Sequence, residues 1–190
     1  MTNTLHTRRK FLRKVGLLSA GAALTTNALA SNTLKATKPS SPELALAFNN
    51  LHTGESLKTT FFCEGEFIAD GMQAISYLLR DHRNNEVGQM SPELMMLLHD
   101  VQQKIGVSKP FEVISGFRSA QTNAMLSKRS SKVAKKSLHM QGKAIDIRLP
   151  GVRLTELHRA ARQMNQGGVG LYTGSDFVHL DTGRPRFWGS

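Results

Sequence analysis

Two histidines and an aspartate have a spacing that suits a metal site. His139 and Asp146 lie seven positions apart in SLHMQGKAIDIRL, and His179 lies in FVHLDT near the end of the chain. If both runs are strands, alternate residues share a face, so Asp146 and His179 can lie side by side while His139 reaches in from the preceding loop. Two imidazoles and a carboxylate suit Zn²⁺ and leave a fourth coordination position open, as in catalytic zinc sites.

Each of these residues also has a structural interpretation. A single histidine in a strand is more often a packed or hydrogen-bonded side chain than a ligand, and an inward aspartate often binds backbone groups. The structural interpretation is preferred for four further histidines that have no companion ligands, namely His52, His82, His99 and His158.

The elements that would position these side chains follow from hydrophobic periodicity. SLKTTFF, FEVISG and KAIDIRL alternate as strands do, and VGLY and FVHLD flank a TGSD turn as in a closing hairpin. GMQAISYLLRDHR, SPELMMLLHDVQQKIG, SAQTNAMLSK and LTELHRAARQMNQGG have helical patterns, and Ser91, Pro92 and Gly106 mark the ends of the second one. Early helices followed by several strands, without regular alternation, predict an α+β fold.

The first thirty residues have the features of an export signal. Arg8 and Arg9 begin a basic stretch, a short apolar segment follows, and Ala28–Leu29–Ala30 ends it with small residues at the cleavage positions. The paired arginines predict the twin-arginine export machinery as a partner. The alternative, a membrane anchor, needs roughly twenty apolar residues, and this segment is much shorter. Residues 31–45, rich in Ser, Thr, Pro and Lys, are predicted to be a flexible lead-in.

Charge argues against nucleic acid as a partner. Five of the 25 basic residues and none of the 14 acidic ones lie in the predicted signal, so the rest of the chain has a net charge of +6 rather than +11. A moderately basic exported domain suits an anionic wall polymer or a membrane surface, although a solvated basic surface without a partner explains the same charge. The single cysteine, Cys63, excludes an intrachain disulfide.

Three motifs in sequence order resemble a known enzyme family. SGFRS at 115–119, SLHMQGKAIDI at 137–147 and DFVHLDTG at 176–183 are similar to the signature of the D-Ala-D-Ala-type zinc peptidases, which are related to lysostaphin-like enzymes and to the zinc module of hedgehog proteins. The resemblance is closest to the periplasmic branch that includes murein endopeptidase K. It implies a zinc peptidase domain over 46–190, in which a small antiparallel sheet carries the zinc site and is flanked by helices.

The resemblance also implies roles for particular residues. His139, Asp146 and His179 would bind one zinc ion, and Arg118 would face the scissile carbonyl, where a guanidinium stabilises the developing oxyanion. The structural alternative for Arg118 is a surface salt bridge. Relatives commonly place an acidic general base three residues before the last histidine, or a histidine two residues before it. This sequence has Asp176 and Phe177 at those positions, so Asp176 is the candidate base, although TGSD also fits an ordinary Asx turn.

Four more side chains are candidates for supporting roles. Asp181 would share a face with His179 and orient a ligand imidazole, and Ser137, two residues before His139, would act in a similar way. Tyr172 and Trp188 are candidate walls for a substrate peptide, with core packing as the alternative for at least one of them.

The export pattern, the candidate ligands and the resemblance together predict an exported, periplasmic, zinc-dependent murein endopeptidase. That it hydrolyses cross-links between peptidoglycan stem peptides is implied by the resemblance alone. Two alternatives remain open at this point. One is a D,D- or L,D-carboxypeptidase that trims stem peptides with the same metal. The other is a wall-binding module whose zinc is not catalytic, and such a module would need neither Arg118 nor Asp176. The exact bond, the oligomeric state and the identity of the divalent ion do not follow from the sequence.

Overall fold

A mixed β-sheet with helices around it forms the part of the chain, residues 43–130 and 133–189, that the computed structural model describes. The strands in these ranges are β1 Leu44–Asn50, β2 Ser56–Cys63, β3 Glu66–Phe67, β4 Phe111–Ser115, β5 Ala144–Arg148, β6 Gly168–Tyr172, β7 Phe177–Asp181 and β8 Arg186–Gly189. The helices are α1 Ala69–Leu78, α2 Pro92–Ile105, α3 Ala120–Arg129 and α4 Leu154–Met164. Two 3₁₀ turns span Leu138–Gln141 and Thr173–Ser175.

The predicted export signal and most of the predicted lead-in lie outside the described residues. Strand β1 begins at Leu44, near the start that the sequence predicts for the folded domain. Within residues 43–130 and 133–189, no helix combines the length and the apolar character that crossing a membrane requires.

The sheet has eight strands in the order β3-β2-β1-β4-β5-β7-β6-β8. Five neighbouring pairs are antiparallel, while β1 with β4 and β6 with β8 run parallel. The α+β class is confirmed, but the expectation of a small antiparallel sheet was wrong. Periodicity and turn signals identify hairpins between strands close in sequence, whereas both parallel pairs join strands separated by other elements.

Helix α2 illustrates how the sequence defines these elements. The Ser91 side chain accepts a hydrogen bond from the backbone N–H of Leu94, Pro92 occupies the first turn, and Gly106 ends the helix in the left-handed conformation at φ 75°. These are the signals that the sequence provided, and they are confirmed. Helix α2 packs against α4 and β1, and α4 packs against β6 and β7, so the two helices cover one face of the sheet.

The two faces of the central strands differ in chemistry. Ile145 and Ile147 of β5 are fully buried on the face that belongs to the hydrophobic core, together with Val178 and Leu180 of β7. Because successive strand residues point to opposite faces, Asp146 and His179 point to the other side. The fold therefore places the polar side chains of β5 and β7 on a common surface, supported from behind by an apolar core.

Candidate metal centre and cleft

Strand register brings the two distant ligand candidates together. Asp146 of β5 lies directly opposite His179 of β7 in an antiparallel pair. Opposed residues in such a pair point to the same face, so the Asp146 carboxylate reaches the His179 ring, with Oδ1 2.8 Å from Nδ1. The local alternation of each strand could be predicted from the sequence, and the register that joins them is set by the fold.

His139 reaches the same point from the 3₁₀ turn Leu138–Gln141 rather than from an irregular loop. The Ser137 side chain caps this turn by accepting a hydrogen bond from the backbone N–H of His139 at 3.4 Å. Gly142 ends the turn at φ 64°, and an added Cβ there would collide with the backbone of Gln89. The turn is therefore closely constrained, and Ser137 contributes to holding His139 in position.

Three ligand atoms converge inside the cleft. His139 Nε2 is 3.3 Å from His179 Nδ1 and 3.4 Å from Asp146 Oδ1, and the ligand atoms of all three residues lie within 4.8 Å of one another. His139 and Asp146 are buried, and the side chain of His179 is 13% exposed. The geometry brings together the three residues that the sequence suggested as metal ligands.

In each imidazole, the nitrogen that points away from the cluster has a hydrogen-bond partner. The nitrogen that points into the cluster is therefore suited to bind a metal. His139 Nδ1 lies 2.7 Å from the carbonyl oxygen of Gly116, which can only accept, so Nδ1 carries the proton and Nε2 presents a lone pair. His179 Nε2 donates to Asp181 Oδ2 at 2.9 Å, which directs Nδ1 to the centre. Acceptors behind ligand histidines of this kind fix the tautomer in zinc sites.

Asp181 is held as an ionised carboxylate. It is fully buried, and its Oδ1 accepts hydrogen bonds from the backbone N–H groups of Gly168 and Gly183 at 3.1 and 2.8 Å. Arg186 donates to both oxygens, at 3.0 Å to Oδ1 and 2.7 Å to Oδ2. Asp181 therefore lies directly behind His179, in the position that its place on the strand predicted.

The charges of the cluster stabilise each other. Burial disfavours a charged imidazole on His179, but hydrogen bonds to Asp146 and Asp181 outweigh burial and raise its pKa to about 9. Burial likewise opposes ionisation of Asp146, yet His139 and His179 hold the pKa of its carboxyl well below the usual range. A divalent cation bound among these atoms would replace a proton that His179 otherwise holds.

Arg118 borders the cluster. Its guanidinium lies beside Asp146, with Nη2 3.8 Å from Oδ2, and its side chain is 12% exposed. Burial lowers the pKa of Arg118, and Asp146 offsets only part of that effect. Its Nε is buried without a hydrogen-bond partner among the described residues. The backbone N–H of Arg118 donates a hydrogen bond to the backbone carbonyl of His139 at 3.2 Å, which connects the loop that carries Arg118 to the 3₁₀ turn Leu138–Gln141.

The cluster opens into a cleft of about 490 Å³ whose lining includes Arg118, Tyr172, Phe177 and Trp188. Tyr172 stacks on Phe177 with ring centroids 4.6 Å apart, and the Trp188 indole N–H donates to the Tyr172 hydroxyl at 2.8 Å. Trp188 lies over Gly170 of β6, where an added Cβ would come within 2.5 Å of the indole. Tyr172 and Trp188 thus form an aromatic wall beside the His139–Asp146–His179 cluster.

Asp176 is not brought together with the other candidates. Its side chain is 62% exposed and pairs with Arg148 at the rim, while its neighbours Ser175 and Phe177 line the cleft. Asp176 ends a 3₁₀ turn in the left-handed conformation, at φ 55°, and this backbone geometry accompanies its outward placement. TGSD therefore forms a turn, and the contact recorded for the Asp176 carboxylate is the one with Arg148.

Three basic residues of this region were missed by sequence reasoning. Arg148 binds both Glu112 and Asp176. Arg186 supports Asp181, and Lys136 lines the cleft. Arg148 lies two residues after Asp146, so strand alternation could have placed it on the ligand face. No local signal identifies Arg186 or Lys136, because their positions depend on how distant segments pack.

The buried His139–Asp146–His179 cluster, with one accessible side, could hold a metal ion, and comparison with known proteins places the chain in a peptidase family. A peptidase M15 family model described as peptidoglycan L,D-endopeptidase MepK matches residues 38–188, and the chain belongs to this family. The chain is 41% identical to peptidoglycan L,D-endopeptidase MepK of Escherichia coli strain K12 over 95% of this chain and 96% of that protein. It is 40% identical to a probable peptidoglycan L,D-endopeptidase MepK of Haemophilus influenzae, over 88% of this chain and 90% of that protein.

Proposed function

We propose that the chain is an exported endopeptidase that hydrolyses peptide cross-links of peptidoglycan, with a zinc ion bound by His139, Asp146 and His179. The observation that carries this proposal is the convergence of three ligand atoms whose outer partners fix both histidine tautomers. Membership of the MepK family supports peptidoglycan as the substrate and an L,D peptide bond as the bond cleaved.

The metal and the guanidinium have complementary tasks in this proposal. A zinc ion supplies Lewis acidity at the amide carbonyl and a water of lowered pKa. Arg118 donates N–H bonds to the oxygen of that carbonyl as negative charge develops on it. The buried, incompletely paired guanidinium supports this role, since Nε has no partner among the described residues and the nearest carboxylate oxygen is 3.8 Å away.

Asp176 is proposed to act as the general base. It takes a proton from the attacking water and delivers it to the leaving amine, which requires its carboxylate to turn from Arg148 into the cleft. Its position supports this, because Ser175 and Phe177 on either side of it line the cleft. The two acidic side chains that do line the cleft, Asp146 and Asp181, are already bonded to the histidines.

The substrate peptide is proposed to lie along the aromatic wall. Tyr172 and Trp188 present a partly buried surface next to His179, and the Trp188 ring centroid is 5.3 Å from that of His179. Export to the periplasm through the twin-arginine route is part of the same proposal. It is supported by the basic and apolar pattern of the first thirty residues and by relatives named for a peptidoglycan activity.

The test is digestion of purified sacculi by wild-type protein, by His179→Ala and by His52→Ala. His52 is an exposed histidine outside the cluster, so its variant is the matched control. We expect wild type and His52→Ala to release soluble fragments that mass spectrometry identifies as cleaved cross-links. A chelator should abolish release and added zinc should restore it, while His179→Ala should lose release and bound zinc together. Release that is insensitive to the chelator would refute the metal-dependent mechanism.

A further inference from the structure

The cleft has more positive than available negative charge. Three cationic side chains line it, Arg118, Lys136 and Arg186, against two carboxylates, Asp146 and Asp181. Both carboxylates are buried and already paired with histidines, and Asp181 is also paired with Arg186. Lys136 is exposed and forms no ion pair within the described residues. A bound divalent cation would add to this excess, so the cleft is suited to an anionic ligand.

Two of these cations lie on segments that meet at one side of the cleft. Lys136 is two residues before Leu138, and Arg186 is three residues after Gly183. Leu138 packs against Gly183 so closely that an added Cβ on the glycine would come within 2.9 Å of Leu138 Cδ1. The absence of a side chain at Gly183 thus allows the two segments to approach each other.

Arg186 is preorganised by its partners but not enclosed by them. Its Nη1 and Nη2 bind Asp181, and Nη1 also donates to the Arg184 carbonyl at 3.1 Å. The plane of the guanidinium lies near Trp188, with Cζ 5.1 Å from the ring centroid. The Arg186 side chain remains 38% exposed and lines the cleft. It can therefore meet a ligand without a change of its own conformation. An anion that binds there meets a donor whose conformation is already fixed.

We infer that Lys136 and Arg186 form an anion subsite that binds a free carboxylate of the stem peptide next to the scissile amide. The inference rests on the proposed function, because it identifies a part of the substrate that the same cleft recognises. Peptidoglycan stem peptides carry carboxylates that are not consumed in peptide bonds, and charge-assisted hydrogen bonds recognise such groups. Arg186 supplies a donor that Asp181 holds in place, and Lys136 supplies an exposed positive charge in the lining.

The experiment uses two synthetic cross-linked muropeptides that differ in one group. In the first, the residue next to the scissile amide carries a free carboxylate, and in the second this group is a carboxamide. Steady-state kinetics with zinc-loaded protein should give a kcat/KM about tenfold higher for the carboxylate, the scale of one charge-assisted contact at a partly exposed site. The difference should lie mainly in KM, because the contact forms when the substrate binds.

Two lysine variants assign the effect to the subsite. Lys136→Gln should reduce the preference to about twofold and Lys136→Glu should reverse it, since the charge that favours the carboxylate is removed or inverted. Lys135→Gln is the matched control, because Lys135 is also exposed, precedes Lys136 in the chain and does not line the cleft. It should keep the wild-type preference.

Different results overturn different conclusions. Equal hydrolysis of both muropeptides by wild type refutes the anion subsite while leaving the endopeptidase activity standing. Hydrolysis of neither muropeptide refutes the proposed function itself. If Lys135→Gln reduces the preference for the carboxylate as much as Lys136→Gln does, the assignment to the subsite is refuted. The preference would then depend on the total charge of the protein.

Discussion

The buried cluster and the rim of the cleft, which consists of Glu112, Arg148 and Asp176, both pair carboxylates with cations. The two sets of pairs lie in very different surroundings. In the buried cluster, His139, Asp146, His179 and Asp181 have side-chain exposures between 0 and 13%. At the rim, Glu112, Arg148 and Asp176 are 25, 38 and 62% exposed. Charges interact strongly where water is excluded, whereas an exposed ion pair contributes about 0.2–1 kcal/mol. The cluster therefore holds one geometry, and the rim can rearrange.

This difference reconciles the position of Asp176 with the task proposed for it. A general base must move a proton between water and the leaving amine, so it needs access to the reacting atoms. Asp176 is bound to Arg148 by an exposed pair, which it can exchange for a place in the cleft at small free-energy cost. Asp146 and Asp181 have no such freedom, because each is buried and bonded to a histidine.

The largest expected effect concerns the rim. Asp176→Asn removes the proton acceptor but keeps the size and shape of the side chain, so kcat on a cross-linked muropeptide should fall about a thousandfold. Zinc content should be unchanged, because Asp176 does not contact the cluster. Steady-state kinetics and elemental analysis of the same preparation check both statements.

Glu112→Gln is the control for this prediction. Glu112 also binds Arg148, through Nε rather than through the Nη1 that binds Asp176, but it lies on β4 and does not line the cleft. Its variant disturbs the rim ion pairs equally, and we expect less than a threefold change in kcat for a surface pair of this kind. If both variants lose activity to the same extent, Asp176 is part of a structural network rather than the base.

A smaller effect is expected behind the cluster. Asp181→Asn removes the negative charge that holds His179 Nε2–H and places an amide against Arg186, so zinc affinity should fall about 10–100-fold. Competition with a chromophoric chelator measures this affinity without reference to activity. Asp181 is fully buried, so the variant is also expected to be less stable, and thermal unfolding should be recorded alongside.

Asp81→Asn separates affinity from stability. Asp81 is 1% exposed, and its carboxylate accepts from the backbone N–H groups of Ser119 and Arg83 in a loop network outside the cluster. Its variant should lose stability while keeping the wild-type zinc affinity. If zinc affinity falls in parallel with stability in both Asp181→Asn and Asp81→Asn, the result would argue against a direct effect of Asp181 on His179.

The sequence predicted the local parts of this arrangement better than the long-range parts. Alternation placed Asp146 on the polar face of its strand, and the hairpin signal paired β6 with β7, because both depend on neighbouring residues. The adjacency of β5 and β7, which makes Asp146 meet His179, was assumed from their polar faces and a family resemblance. Strands β1 and β8 were not predicted, since they join the sheet through partners that no short pattern specifies.

The rim was the least predictable region. Asp176 was assigned from its distance to His179 along the chain, and that spacing says nothing about where the side chain points. The left-handed backbone of Asp176 and the reach of Arg148 from β5 determine its contact. Exposed side chains have several conformations of similar free energy, so sequence patterns constrain them weakly. Buried groups must satisfy their hydrogen bonds, which limits the arrangements available to the cluster.

The smallest effect, about tenfold for each pH unit, is a pH dependence that belongs to the buried cluster alone. Its hydrogen bonds raise the pKa of His179 from 6.5 to about 9, so the metal-free protein keeps a proton there at neutral pH. Zinc must displace that proton, and its affinity should therefore fall about tenfold for each pH unit below about 9. Chelator competition from pH 7 to pH 10 should show the affinity levelling off above that value.

The metal-free protein should show the linked effect with the opposite sign. A pKa raised on folding gives stability that is fully present below the unfolded value of 6.5 and is lost as the pH rises through about 9. The free energy of unfolding of the zinc-free protein, measured with a denaturant, should therefore decrease between pH 6.5 and about 9. Asp181→Asn removes one of the two carboxylates that raise this pKa. The pH dependence of zinc affinity and that of stability should therefore both shift to lower pH. Zinc affinity that stays constant between pH 7 and 9 would mean that His179 is already neutral, and that the charges of the buried cluster do not control metal binding.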